Sequence, residues 1–137
     1  MIAKILLTLG VLVYTVVIPF LEINHSHVFN PDWPAHARLH EVWQLTTNSA
    51  LGLFCLWLVW IKKNITVASM ISIMIMGGVL FAHIIEQSYG GSILSGNTSK
   101  TILGLELAAF AALVVVIMII LANLLNGRIE NKGATDD

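Results

Sequence analysis

Residues 101–125 read TILGLELAAFAALVVVIMIILANLL, and the fold turns on how that run is taken. As a helix rising 1.5 Å per residue, it has the length that crosses a hydrocarbon layer of about 30 Å. It carries a single charge, Glu106. Three further stretches of the same kind occupy residues 2–21, 42–61 and 65–85. The 137-residue chain is 57% hydrophobic and 11% charged, which excludes an ordinary soluble domain. The expectation is an all-α integral membrane four-helix bundle. It would be a single domain over residues 1–125, with spans near 2–21, 35–61, 65–87 and 101–125, followed by a polar cytoplasmic tail at 126–137.

Basic residues orient this arrangement. Lys4, Lys62, Lys63, Arg128 and Lys132 fall at the N-terminus, the second connection and the tail, which four spans put on one face. The positive-inside rule makes that face, and both termini, cytoplasmic. Lys4 ahead of an apolar run resembles the start of a signal peptide, but no small-x-small cleavage signal follows, and the segment reads as a mature helix. Cys55 is the single cysteine and lies within a span, which excludes an intrachain disulfide and a cysteine-based zinc site. The net charge of −1, without a basic run, gives no sign of a nucleic-acid partner.

The chemistry gathers at the opposite, non-cytoplasmic ends of the spans. All five histidines, and every glutamate except Glu130 in the tail, fall there. Ionisable residues in a membrane are costly and mark a functional site by default. Glu22 ends the first span, and the connection after it carries His25-Ser26-His27 and Trp33-Pro34, with Pro34 suited to opening the second helix. Trp33 and Trp43 suit an interfacial aromatic belt. Within that helix His36, His40, Gln44 and Asn48 recur every four residues, and the expectation is a polar stripe facing the bundle interior, because lipid cannot satisfy such groups. His83, Glu86 and Gln87 close the third helix. Glu106, roughly 9 Å into the fourth helix by helical rise, is the costliest residue in the chain to place. Gly77-Gly78, with Ser69 and Ser72, reads as small-residue surface for close helix packing. Residues 88–99, with Gly90, Gly91 and Gly96, read as a flexible connection.

Three functions fit these residues. The first is binding, or acid–base isomerisation or cyclisation, of a lipophilic small molecule, without a cofactor. His40, His83, Glu86 and Glu106 would be catalytic, Glu22 would stand at the mouth, and His36, Gln44, Asn48, Trp33 and Trp43 would bind the ligand. A second is a metal-dependent, di-iron-like membrane oxidoreductase, with iron or another transition metal held by Glu22, His36, His40, His83, Glu86 and Glu106; His36 and His40 have the i, i+4 spacing of paired imidazole ligands. A third is a non-enzymatic ligand-binding or accessory subunit. Membrane lipids are partners in each case, and a homo-oligomer stays open.

The order of features also resembles a known group. An acid ending helix one, an Asn-Pro-x-Trp segment, polar groups four apart in His40-Glu-Val-Trp-Gln44, and a late His and Glu in helix three are similar to the EXPERA group of emopamil-binding sterol isomerases and the sigma-2 receptor. The likeness covers nearly the whole chain in topology and implies Glu22 as the first-helix acid and His40 with Gln44 as the second-helix polar pair. It offers no counterpart for Glu86 or Glu106. The segment from His27 to His40 is also similar to one in small uncharacterised four-helix membrane proteins, which implies no activity.

Overall fold

A backbone placed in hydrocarbon must satisfy its N–H and C=O groups within its own segment, so apolar runs of this length fold as helices. The computed structural model describes residues 1–94 and 100–133, with side chains through Gly127. In chain order the elements are α1 (Ile2–Glu22), α2 (Ala35–Trp60), α3 (Ile65–Ile84), a short α4 (Glu86–Tyr89), strands β1 (Thr101–Ile102) and β2 (Leu105–Glu106), and α5 (Leu107–Gly133). Of these, α1, α2, α3 and α5 are long and apolar enough to cross a membrane. α1 and α3 each pack against both α2 and α5, so the four form a ring with antiparallel neighbours. One end carries the connections at 23–34 and 85–106 with all five histidines, and is called the histidine end. The other carries Lys4, Lys62 and Lys63 and is called the lysine end.

Buried positions recur at steps of three and four: Leu7, Val11 and Tyr14 on α1; Gly52, Cys55 and Val59 on α2; Ile65, Ser69, Ser72 and Met76 on α3; Ala112, Val115, Ile119 and Ala122 on α5. That period keeps one seam of each helix facing its neighbours, as in antiparallel bundles. Among the polar groups in the seam, Tyr14 and Ser72 are paired and the Ser69 hydroxyl has no hydrogen-bond partner among the described residues. Ser72 Oγ donates to the Ala68 carbonyl at 2.8 Å, which uses its one proton, so Tyr14 is the donor in its 2.9 Å bond to Ser72. At the lysine end, Asn64 caps α3 by accepting the Val67 N–H at 3.1 Å. Lys4 and Lys62 stand over Trp60 and Trp57 at 5.5 and 5.1 Å from the ring centres.

α1 is not a plain helix. Its middle, Val13–Val17, is a π turn in which the Ile18 N–H reaches back to the Val13 carbonyl. Pro19 follows, and because proline has no N–H, the Thr15 carbonyl loses its helical partner. The Ser49 hydroxyl of α2 donates to that carbonyl at 3.1 Å. Close approach makes this possible: a Cβ added at Gly52 would lie 1.8 Å from Thr15 Oγ1. The widened turn of α1 is seated against a bare stretch of α2 backbone.

Three expectations change. The fourth helix does not begin at residue 101. Leu103 and Gly104 have φ of 52° and 82°, a pair of left-handed residues that a right-handed helix cannot hold and that a two-residue hairpin requires. Thr101 pairs with Glu106 and Ile102 with Leu105. Glu106 is therefore not two turns down a helix but on β2, directly ahead of α5, where its carboxylate complements the helix N-terminus. Second, α3 ends at Ile84, two residues short of Glu86, and α5 continues to Gly133, so part of the 126–137 tail is helical. Third, Gly77 and Gly78 do not make a close helix contact: a Cβ at Gly78 would meet nothing within 4 Å. Gly96 and the rest of residues 95–99 lie outside the described residues.

Candidate functional site

The histidine end is built around the break after α3. His83 stands in the last turn of α3, Ile85 leaves helical geometry, and α4 makes one turn that stops at Gly90 in the left-handed conformation (φ 70°). The turn is tied twice, by the Gly91 N–H to the Glu86 carbonyl at 2.8 Å and by the Tyr89 hydroxyl to the Ala82 carbonyl at 2.9 Å. The chain thus doubles back and aims the Ile93 N–H at Glu86 Oε2, 2.9 Å away. That same oxygen accepts from His83 Nδ1 at 2.9 Å. On the other side of the ring, His83 Nε2 lies 3.5 Å from Glu106 Oε2.

An imidazole between two carboxylates has defined chemistry. Donation to Glu86 fixes the hydrogen on Nδ1 and leaves Nε2 facing Glu106 at ion-pair distance. The hydrogen bond from His83, aided by the Ile93 N–H and opposed by partial desolvation, holds the Glu86 carboxyl below the ordinary carboxylate range. A group lowered in this way stabilises the fold above its unfolded value and loses that contribution as pH falls through the folded one. The Ile93 amide should accordingly stay protected from hydrogen exchange at pH values where ordinary carboxylates are already protonated, and be released only in stronger acid. Glu86→Gln should release it across the range. Equal protection of Ile93 in the two proteins at neutral pH would show that the carboxylate does not hold the turn.

A second cluster joins α1 to α2. Glu22 Oε2 pairs with His27 Nε2 at 2.7 Å, and His27 Nδ1 meets Ser26 Oγ at 2.7 Å. Trp33 stands edge-on to His27 at 5.5 Å. Glu41 is near enough to interact electrostatically with both His27 and Glu22. Among the described residues no ion pair joins this cluster to His83, and no three His, Cys, Asp or Glu side chains are grouped to hold a metal ion. The six residues expected to share one metal are distributed over separate places.

The polar stripe does not face the interior. His36, His40 and Gln44 are exposed and Asn48 is half-buried, whereas Leu45 is buried. At about 100° per residue, a step of four turns the stripe by about 40°. His36 consequently points opposite to Leu45, and the stripe has swung to the edge of the buried face only at Asn48. Gln44 and Asn48 open onto a groove of about 570 Å³ on the flank between α2 and α3, with Met74, Gly78, Val79 and Ile93 among its walls. His36 and His40 stand apart from it with their Nε2 atoms 3.0 Å apart, and Trp43 stacks on His40 at 5.7 Å.

His27, Glu41 and the Ile93 N–H were not among the expected site residues. The signal for His27 is Asn24, whose Oδ1 accepts both the Ser26 N–H at 2.7 Å and the Ser26 hydroxyl at 2.6 Å and so folds the chain back toward Glu22. Glu41 adjoins His40 in sequence but lies about 100° round the helix, on the α1 side. No protein-family model, curated protein or solved structure matches this chain.

Proposed function

We propose that the chain binds a lipophilic small molecule in the groove between α2 and α3 and isomerises or cyclises it by acid–base chemistry, with His83 moving the proton. Ile93 carries this reading: its N–H is held by Glu86, and the same residue walls the groove. The proton-transfer unit and the apolar cleft therefore share a wall. In this scheme Glu86 orients the imidazole, and Nε2, which faces Glu106 and does not itself line the groove, gives or takes a proton at the ligand through water beside Ile93. Gln44 and Asn48 supply hydrogen bonds to a polar group on an otherwise apolar ligand, and about 570 Å³ lies within the usual range for small-molecule sites. Of the residues that the likeness to the EXPERA group implies, Gln44 lines the groove and Glu22 and His40 do not. We assign both termini to the cytoplasmic side and the groove to the opposite leaflet, because Lys4, Lys62, Lys63, Arg128 and Lys132 oppose only Arg38 and Lys100.

Gly78 provides the test. A side chain there enters open space in the groove wall, so Gly78→Leu should fold normally and fill the cleft. Solvent extraction of the purified natural protein, followed by mass spectrometry, should yield a lipophilic molecule that the folded variant no longer retains. Retention of that molecule by folded Gly78→Leu would remove the groove from the mechanism.

A further inference from the structure

His36 and His40 are not used by the groove or by the His83 unit. They occupy the first two turns of α2, both rings are exposed, and Nε2 faces Nε2 across 3.0 Å with the rings at 89°. We propose that they form a bidentate chelating site for a late first-row divalent cation, with Cu2+ favoured. Imidazole nitrogens bind such ions at about 2.0–2.1 Å. Two bonds of about 2.05 Å to donors 3.0 Å apart enclose an angle of about 94°, from twice the arcsine of 1.5/2.05. That is the angle between adjacent ligands in a square-planar or tetragonal ion; a tetrahedral ion would need the nitrogens about 3.35 Å apart. Copper(II) takes the tetragonal geometry and heads the divalent series in affinity.

The pair is prepared for this role. Helical spacing sets both rings on adjacent turns, and stacking on Trp43 limits rotation of His40. Both rings are exposed, so no other part of the protein covers the site. In the metal-free pair one Nε2–H donates to the other nitrogen. On binding, that hydrogen moves to Nδ1 of its own ring and the ion takes both Nε2 lone pairs, so no net proton is lost above the imidazole range. No third His, Cys, Asp or Glu completes the set among the described residues. The remaining equatorial positions belong to water and can be exchanged for another ligand.

Copper titration of the purified full-length protein at about pH 7.5, where neutral imidazole predominates, tests the site. Electron paramagnetic resonance should show a tetragonal signal coupled to two imidazole nitrogens at one ion per chain. His36→Gln and His40→Gln should each leave one nitrogen and, with the chelate lost, weaken binding by about 10²-fold. His25→Gln, at an exposed neighbouring histidine, should leave the signal intact. A two-nitrogen signal that survives both His36→Gln and His40→Gln would overturn the proposal. So would a signal abolished by His25→Gln, since the copper would then belong to the loop.

Discussion

Gly52→Ala should destabilise the bundle by about 1–3 kcal/mol, the range for overpacking a close-packed core, although it adds a single methyl group. The added carbon would fall 1.8 Å from Thr15 Oγ1, 2.9 Å from Thr15 Cβ and 3.0 Å from a Tyr14 ring carbon. None of these is the free end of a flexible side chain. Relief would require α1 to withdraw from α2, which would also break the Ser49 bond to the Thr15 carbonyl. Thermal unfolding in detergent measures the loss. The double variant Thr15→Ala/Gly52→Ala removes the shortest contact and should recover part of it, giving a clear non-additivity between the two positions. Gly78→Ala, with nothing within 4 Å of its added carbon, is the control and should lie within about 0.5 kcal/mol of the natural protein. A Gly52→Ala protein as stable as that control would mean that α1 and α2 do not meet at Thr15.

The second large effect is expected at His83. Once the retained molecule and its product are identified, His83→Gln should lower turnover by about 10²–10⁴-fold, the range for loss of a positioned acid or base. Retention of the molecule should change little, because His83 does not wall the groove. Glutamine keeps a hydrogen-bond donor near Glu86 but cannot shuttle a proton. Glu106→Gln should reduce turnover as well, while Glu86→Gln should act through the orientation of the ring. Full turnover by His83→Gln would transfer the chemistry to another residue or remove it altogether.

The four long helices were legible because hydrophobic length is a property of composition, which neighbours do not alter. The hairpin at 101–106 was not, because Leu103 and Gly104 interrupt an apolar run without any of the usual polar turn residues. Glu106 was therefore assigned the wrong place: it stands on β2 ahead of α5 and not within a helix. The stripe on α2 failed for a geometric reason: a repeat of four does not match a period of 3.6, so residues twelve apart end about 120° from one another. The pairing of His83 with Glu86 follows from their three-residue separation. Its link to Ile93 depends on a turn that only the folded chain reveals. Likewise, Pro19 announces a lost hydrogen bond in α1, but Ser49 as its replacement lies 34 residues from Thr15, a long-range contact with no local signature.

The unequal ends of the bundle have one more consequence. All five imidazoles lie at one end. The lysine end carries ammonium groups over Trp57 and Trp60. In a membrane dividing two compartments, such a molecule would be vectorial: its imidazoles would meet the solutes of one compartment and its ammonium groups those of the other.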